Sequence, residues 1–367
     1  MAATLQQHAI SPACVLRGPG AWQEALERIP TLCQRPLLLG RSAATGALRA
    51  SLATDLRSVG VLAVPAELRH DCSEEDLQEV AQLLQAAGCD AVLAAGGGKV
   101  LDAGKLLAHR LGLRCLTVPT SAATCAGWTA LANLYSPAGA FQGDVALGRC
   151  PDLLVFDHDL IRQAPPRTLA SGIADAMAKW YEASVSSSTS SDGMVQQAVQ
   201  MARVLRDQLL LEAEEALAEP GGEAWSRVVD ACGLTAGLIG GIGGVRCRTV
   251  AAHAVHNGLT QLEASHGRLH GEKVGFGILV QLRLEEQLGG NRLAEQARRQ
   301  LLAVFERLGL PVSLPQLGLS TTSLEELEQV CRFACRDDSD LHHLPFQVAP
   351  PDLLAALVST TAERRSA

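Results

Sequence analysis

Short apolar runs alternate with longer amphipathic stretches over the first part of the chain, up to about residue 150. The apolar runs predict buried strands at residues 35–40, 59–65, 90–95 and 114–118. Two amphipathic stretches predict helices at 73–87 and 99–112, and Ser73 with the three acidic residues after it fits an N-cap and first turn. Strands alternating with helices predict a parallel α/β sheet that is covered by helices.

From about Pro165 the strand signals almost vanish and long helical patterns take over. These patterns predict helices at 167–184, 192–217, 223–238, 250–263, 272–287, 292–308 and 323–334. The Ser-rich stretch 184–191 is predicted to be an exposed loop between two of them. Pro165-Pro166 favours a boundary between two domains, 1–162 of the nucleotide-binding α/β type and 163–367 all-helical, with the active site in the cleft between them.

Composition narrows the class of protein. The chain has 367 residues, 47% of them apolar, and a net charge of −8, which excludes a disordered chain and argues against a nucleic-acid binder. No apolar run reaches the ~18 residues of a membrane span, and the N-terminus lacks the pattern of a signal peptide, so we expect a cytoplasmic protein with no membrane partner. The 11 cysteines contain no C-x-x-C pair and are predicted to be small buried hydrophobes in a reducing compartment.

Two loops at strand ends could bind a ligand. Gly96-Gly97-Gly98-Lys99 follows a predicted strand and opens a helix, a pattern that suits a pyrophosphate at the helix N-terminus, although a plain tight turn also fits. Asp102 in the first turn is equally consistent with a residue that complements the helix dipole. The hydroxyl-rich segment 119–125 follows the next strand and fits either ligand hydrogen bonds or an ordinary turn.

An aspartate and a group of histidines could bind a metal. Asp175 lies in an otherwise small and apolar helical stretch, where Lys179 at i+4 offers an ordinary helix salt bridge. Four histidines fall within 18 residues; they are His253, His256, His266 and His270. Two histidines with one carboxylate satisfy the ligand count of a catalytic metal site, but the spacing by itself leaves metal and structural roles open.

Five motifs in order make the chain resemble a known family. They are Gly-Gly-Gly-Lys-x-x-Asp, Pro-Thr-Ser-Ala-Ala-Thr, Gly-Ile-Ala-Asp-Ala, Ala-Ala-His-Ala-Val-His-Asn-Gly and Leu-His-Gly-Glu-Lys-Val. Together they resemble the glycerol dehydrogenase branch of the iron-containing (group III) alcohol dehydrogenase superfamily over nearly the whole chain. The resemblance implies a Rossmann-like NAD(P)-binding domain, an all-α domain that binds metal and substrate, and one divalent metal, with zinc favoured over iron or nickel.

The resemblance also implies roles for individual residues. The metal ligands would be Asp175, His253 and His270, with His256 beside the site. Gly98 and Lys99 would meet the pyrophosphate of the cofactor, with Gly97 and Asp102 as further cofactor-binding residues. The nicotinamide side would be lined by Thr120, Ala123, Thr129, Leu131 and Tyr135. Relatives in this superfamily assemble as homo-oligomers, which we expect here as well.

Two departures from the family pattern change the expected ligands. Cys125 occupies the position of an aspartate that contacts substrate hydroxyls, and a thiol cannot form that charge-assisted bond to a polyol. The absence of that aspartate also removes a repulsion against an anionic substrate. The surrounding segments resemble the hydroxycarboxylate dehydrogenases of the branch. Arg41 stands where NAD-dependent members have an acidic residue, which predicts a preference for NADP(H), unless Arg41 is only a solvated surface charge.

We therefore predict an enzyme that reversibly reduces a 2-oxo acid, of the 2-oxobutyrate or 2-oxoglutarate type, with NADPH. The metal polarises the carbonyl, and a proton arrives through water, the nicotinamide ribose or His256. Cys125 and Lys179 are further catalytic candidates, and Arg246, Arg248 or Lys179 would hold the substrate carboxylate beside His253.

Three other functions remain open at this point. They are a glycerol or diol dehydrogenase that uses NAD, a lyase related to dehydroquinate synthase, and a non-catalytic relative. Asp175 and the small number of lysines argue against the lyase, and the presence of all three expected metal ligands argues against the non-catalytic relative.

Overall fold

The computed structural model of the protein describes residues 7–362. In this part of the chain every strand lies before residue 158; the strands are β1 Val15–Gly18, β2 Pro36–Gly40, β3 Val64–Glu67, β4 Ala91–Gly96, β5 Arg114–Pro119, β6 Leu131–Tyr135, β7 Phe141–Ala146 and β8 Leu153–Asp157. Six of them form one parallel sheet in the order β1-β8-β5-β4-β2-β3. The other two, β6 and β7, form an antiparallel hairpin.

Helices cover both faces of this sheet. They are α1 Ala21–Leu32, α2 Gly46–Ser58, α3 Glu74–Ala86, α4 Gly98–Leu111 and the short α5 His158–Ile161. Strand β2 shows why the apolar runs are continuous: Leu37 and Leu39 enter one hydrophobic core, and Leu38 between them enters the core on the opposite face. Every residue of β2, β4 and β8 is buried, as expected for central parallel strands.

Most elements predicted in this half are present, with one error. Strands β2, β4 and β5 and helices α3 and α4 match their predictions, and the Ser73 side chain accepts a hydrogen bond from Asp76 N at the start of α3. The strand predicted at 59–65 begins later than predicted, as β3 at Val64–Glu67, because Gly60 takes a φ of +82° and Val61 N donates to Leu56 O, so the first residues of this apolar run cap α2. Strands β1 and β8 and the hairpin were not predicted.

After α5 the described chain contains helices and no strand. The helices are α6 Pro166–Ser187, α7 Gly193–Ala218, α8 Glu223–Asp230, α9 Ala236–Gly243, α10 Ala251–Leu259, α11 His270–Gln287, α12 Arg292–Arg307, α13 Leu324–Ala334 and α14 Pro350–Ala362. A parallel α/β region followed by a helical region confirms the predicted fold class, while the domain limits 1–162 and 163–367 stay a prediction. Helix α6 runs into the predicted Ser-rich loop as far as Ser187, and α14 was not predicted.

No helix in the described part of the chain has the length and hydrophobicity required to cross a membrane.

Close approaches of the backbone bring α6 against two other parts of the chain. A Cβ on Gly271 would lie 1.8 Å from Ser171 O, and one on Gly172 would lie 1.9 Å from Ala122 O. Only glycine therefore lets α6 touch both the start of α11 and the loop after β5. Asp175, one turn further along α6, is thereby placed between the two regions.

Candidate active site

A cleft of about 670 Å³ lies beyond the carboxyl ends of β4 and β5 and is closed on its other side by α6, α10 and α11. Most predicted site residues line it; they are Arg41, Gly97, Gly98, Lys99, Asp102, Ala123, Cys125, Thr129, Leu131, Tyr135, Asp175, Lys179, Arg248, His253 and His270. This position is the expected one for a ligand of an open parallel sheet.

Three predicted site residues lie outside the lining of the cleft. Thr120 is buried behind the loop, and its backbone N–H donates to Gly96 O over 3.1 Å. Arg246 is exposed on the surface, so it is not placed to hold a substrate in the cleft. His256 is only 2% exposed and lies behind His270, which argues against direct proton transfer from His256 to a substrate.

Asp175, His253 and His270 converge on one point of the cleft, each from a different helix. Asp175 Oδ1 lies 3.3 Å from the Nε2 atoms of both His253 and His270, and one ligand atom from each residue lies within 4.8 Å of the other two. The Oδ1 atom is buried and accepts no hydrogen bond. Lys179, the alternative partner of Asp175, instead donates to Arg248 O over 3.2 Å.

A buried carboxylate orients His253. Glu182 is fully buried; its Oε2 lies 2.7 Å from His253 Nδ1, and its Oε1 accepts hydrogen bonds from the backbone N–H groups of Val250 and His253. With Nδ1 bonded to Glu182, Nε2 faces Asp175. Burial opposes the imidazolium form, but Glu182 and Asp175 raise the pKa of His253 to about 9, so a cation that binds Nε2 displaces a proton.

A chain of side chains orients His270. His256 Nδ1 lies 2.9 Å from Asn257 Oδ1, and His256 Nε2 lies 3.0 Å from His270 Nδ1. If Asn257 Oδ1 accepts from Nδ1–H of His256, then His256 Nε2 accepts from His270 Nδ1–H, which leaves the lone pair of His270 Nε2 facing Asp175. Burial and the neighbouring His270 hold the pKa of His256 well below its usual range, which keeps this ring neutral.

The geometry of the three donors fits a metal ion. One carboxylate oxygen and two imidazole nitrogens face one another, and the buried Asp175 Oδ1 accepts no hydrogen bond. Two ligand atoms at the usual distances from a tetrahedral zinc lie about 3.3 Å apart, which is the separation observed here. His266, the fourth histidine of the group, does not take part, because its Nε2 is 2.8 Å from Thr260 O.

The glycine loop leaves the N-terminus of α4 open to the cleft. Gly97 is the N-cap residue, and no side chain caps the helix. A Cβ on Gly96 would lie 2.8 Å from Val100, and one on Gly98 would lie 3.0 Å from Thr124 Oγ1, so side chains at either position would crowd the loop. An uncapped helix N-terminus lined by glycine can bind an anion through backbone N–H groups.

Asp102 lines the cleft, but its oxygens are already bonded within the protein. Its Oδ1 lies 2.9 Å from Lys105 Nζ, and its Oδ2 accepts from Asn133 N. Lys105, which is buried, also donates to Thr129 O, Thr129 Oγ1 and Leu131 O. Asp102 and Lys105 therefore hold the predicted nicotinamide-side segment in place.

Cys125, Lys179 and Arg248 line the part of the cleft where the substrate is predicted to bind. Burial raises the pKa of Cys125, although the charge of Lys179 opposes this, so the thiol is uncharged at neutral pH. Arg248 Nε is buried without a hydrogen-bond partner, and its side chain passes so close to Gly240 that a Cβ there would lie 2.6 Å away. This part of the cleft thus carries two cationic side chains and a neutral thiol.

The sequence interpretation missed three polar residues that contact site residues: Glu182, Lys105 and Asp71, whose carboxylate pairs with Arg41 and Lys99. Glu182 follows Asp175 by two helical turns, and Lys105 follows Asp102 by three residues, so each pair shares one helix face and could have been found from its spacing. Asp71 lies in a loop and gave no signal of this kind.

Comparison with known proteins places the chain in a family. A family model described as iron-containing alcohol dehydrogenase matches residues 12–158. The chain is 54% identical to an oxidoreductase of Synechocystis sp. over 97% of this chain and 92% of the relative. It is 37% identical to hydroxycarboxylate dehydrogenase A of Escherichia coli over 78% of this chain and 79% of the relative. Further relatives, at 31% to 34% identity, are glycerol dehydrogenases.

A solved structure agrees with these sequence relationships. The probable glycerol dehydrogenase from Sinorhizobium meliloti superposes with a TM-score of 0.85 at 27% identity, covering 97% of this chain and 98% of the other. The resemblance inferred from the five motifs is confirmed. The chain belongs to the iron-containing alcohol dehydrogenase family, in its glycerol dehydrogenase branch, and is an oxidoreductase that acts on CH–OH groups.

Proposed function

We propose that the protein is a metal-dependent, NAD(P)H-linked enzyme that reversibly reduces a small 2-oxo acid to the 2-hydroxy acid. The observation that carries this proposal is the substrate side of the cleft, where Lys179 and Arg248 accompany the neutral thiol of Cys125. Cations and an uncharged thiol favour an anionic substrate, whereas a carboxylate at position 125 would repel it. Arg248 lines the cleft, and a planar guanidinium group suits a carboxylate.

Asp175, His253 and His270 would hold one divalent metal ion. When bound, the metal acts as a Lewis acid that polarises the carbonyl group of the substrate. The 3.3 Å separations support zinc, and the same donor set also suits iron(II) or nickel with additional water ligands. The protein contributes the orientation of the donors: Glu182 bonds His253 Nδ1, and His256 bonds His270 Nδ1.

The remaining residues bind and orient the two reactants. Arg248 and Lys179 hold the substrate carboxylate, while Cys125 packs beside it without adding charge. Asp102 and Lys105 position Thr129 and Leu131 at the nicotinamide side. Because His256 lies outside the cleft, the proton that completes reduction comes from water or from a hydroxyl of the cofactor ribose.

NADP(H) is the proposed cofactor, with NAD(H) second. The open N-terminus of α4 at Gly97 and Gly98, with Lys99 beside it, would bind the pyrophosphate. Arg41 lines the cleft directly after β2, where it can pair with a 2′-phosphate. Ala123 and Tyr135, with the segment that Lys105 holds, would line the nicotinamide. We also propose that the protein acts as a homo-oligomer in the cytoplasm.

A second candidate is a glycerol dehydrogenase that uses NAD. The observation that favours it is the predominance of glycerol dehydrogenases among the relatives. It differs from the first candidate in both substrate and cofactor, so one set of measurements separates them.

The test is a panel of initial rates after metal analysis of the purified protein. Reduction of 2-oxobutyrate and 2-oxoglutarate is measured with NADPH and NADH, and oxidation of glycerol and simple diols with both oxidised cofactors. The proposal predicts the highest kcat/KM for a 2-oxo acid with NADPH. A higher kcat/KM for glycerol with NAD would overturn it in favour of the second candidate.

The role of position 125 is tested by Cys125→Asp with Cys125→Ser as the matched uncharged control. A new carboxylate opposed to an anionic substrate is expected to lower kcat/KM for the 2-oxo acid by at least about tenfold, and a hydroxyl should change it little. Equal effects of the two substitutions would contradict the charge argument.

A further inference from the structure

Asp71 joins two cations that come from different elements of the sheet region. It lies in the loop between β3 and α3 and is 5% exposed. Its Oδ1 lies 2.6 Å from Arg41 Nη1, and its Oδ2 accepts a hydrogen bond from Lys99 Nζ. Arg41 follows β2 and Lys99 lies in the first turn of α4, and both side chains are 42% exposed.

The two contacts of Asp71 differ in kind. Lys99 is bound by a hydrogen bond and also lies over the ring of Tyr135, with Nζ 4.7 Å from the ring centroid. The Arg41 contact is an ion pair in which Oδ1 accepts no well-directed hydrogen bond. Arg41 can therefore exchange this partner for another anion more readily than Lys99 can.

The sequence has no acidic residue at the end of β2, but Asp71, in the loop between β3 and α3, places a carboxylate beside that position. A carboxylate beside the adenosine ribose favours an unphosphorylated cofactor, because it repels a 2′-phosphate and occupies the arginine that would bind it. Asp71 lies within 2.6 Å of the residue proposed to read that phosphate. His70, the preceding residue, does not neutralise Asp71, since its Nδ1 pairs with Asp76.

We propose that Asp71 is the residue that limits the preference for NADP(H) over NAD(H), by competing with the 2′-phosphate for Arg41. This inference rests on the proposed use of NAD(P). The contact between Asp71 and Lys99 concerns the pyrophosphate, which both cofactors share, so it affects both equally. The contact with Arg41 affects only the phosphorylated cofactor, and the ratio of the two affinities isolates it.

The test is Asp71→Asn, which keeps the shape of the side chain and removes its charge. The dissociation constants of NADPH and NADH are measured by fluorescence titration without substrate, together with the melting temperature. The ratio of the NADH constant to the NADPH constant is expected to rise about tenfold, as for the loss of one charge-assisted contact. A loop that was merely loosened would weaken both cofactors alike and leave the ratio unchanged, and that result would overturn the proposal.

Two further variants make the test specific. Glu67→Gln removes an acidic charge from the end of the adjacent strand, where Glu67 pairs with Arg49, and should leave the ratio within about twofold of the native value. In the Arg41→Ala background, Asp71→Asn should raise the ratio much less than in the native protein, because only the direct repulsion between Asp71 and the 2′-phosphate remains to be removed. If Asp71→Asn does not fold, Asp71→Ser is measured with the same expectation.

The outcome separates this inference from the proposed function. Absence of binding of either cofactor to the native protein would refute the proposed function itself. Binding of both cofactors with an unchanged ratio in Asp71→Asn would refute only the role of Asp71.

Discussion

The two ends of the cleft hold their polar residues in opposite ways. At the end formed by Asp175, His253 and His270, each imidazole has a second buried partner that sets the direction of its free nitrogen. At the end formed by Arg41 and Lys99, the two cations are nearly half exposed and share a single carboxylate. The first arrangement leaves almost no freedom to the donor atoms, and the second leaves the cations free to change partners.

This difference predicts different responses to mutation. Removing a buried donor leaves other polar atoms without partners in a dry environment, which has a large energetic cost. Removing an exposed ion pair typically costs less than about 1 kcal/mol, because water solvates the charge that is left. We therefore expect large, all-or-none effects at the proposed metal-binding end and graded effects on preference at the proposed cofactor-binding end.

The largest effect is expected for Asp175→Ala. Loss of the only carboxylate among the three donors should abolish metal retention and lower kcat/KM by about 10³-fold or more, because several kcal/mol of Lewis-acid stabilisation are lost. Metal content by mass spectrometry and steady-state rates check this. Asp207→Ala, at a partly exposed aspartate of α7, is the control. Activity that survives in metal-free Asp175→Ala would contradict a metal-assisted mechanism.

Glu182→Gln is expected to have the next largest effect. The amide oxygen can still accept the backbone hydrogen bonds, so the fold should persist, but the charge that orients His253 Nδ1 is lost. Loss of such a partner lowers metal affinity by about 10- to 100-fold. Competition with a chelator of known affinity measures this change. Unchanged affinity would mean that Glu182 only supports the backbone.

Arg248→Ala compared with Arg246→Ala tests the substrate side of the cleft. The two arginines are two residues apart, but only Arg248 lines the cleft. Arg248→Ala should raise KM for the 2-oxo acid by about tenfold or more, as for the loss of a hydrogen bond to a charged group, and leave KM for the cofactor nearly unchanged. Arg246→Ala should behave like the native protein. Equal effects of both substitutions would remove Arg248 from the substrate site.

Arg41→Ala is expected to have the smallest effect. Because Asp71 already neutralises part of its charge and water screens the rest, affinity for NADPH should fall by no more than about fivefold, with NADH unaffected. Direct titration of each cofactor checks this expectation. A 100-fold loss of NADPH affinity would contradict the small effect expected for an exposed, shared ion pair. The two ends of the cleft would then respond to mutation in the same way.

The strands and helices nearest the site could be predicted because their signals are local. Ser73 caps α3 as its sequence predicts, and β2, β4 and β5 are apolar throughout because both faces of the sheet are covered. The strand at 59–65 was placed too early, because an apolar run can cap a helix as well as form a strand, and Gly60 ends α2 before β3 begins at Val64. The roles of Asp175, His253 and His270 came from the family motifs, and the spacing alone did not establish them.

Partners that approach from another element could not be predicted. His256 shares a helix face with His253, yet its Nε2 is bonded to His270, 14 residues away on α11. Asp102 suits a helix dipole by its position, yet its oxygens bond Lys105 and the backbone of Asn133. In each case the local sequence allows several partners, and the packing of helices selects one.

The sequence by itself determined the parallel α/β region, the helical region after it and the kinds of chemistry that line the cleft. Those properties follow from periodicity, capping and residue type, which act within one strand or a few helical turns. The tertiary structure decided which atoms meet: Gly271 and Gly172 let α6 touch α11 and the β5 loop, and Asp71 reaches Arg41 and Lys99 from a third segment. Such contacts depend on the close packing of elements that are distant in the chain, and no local signal specifies them.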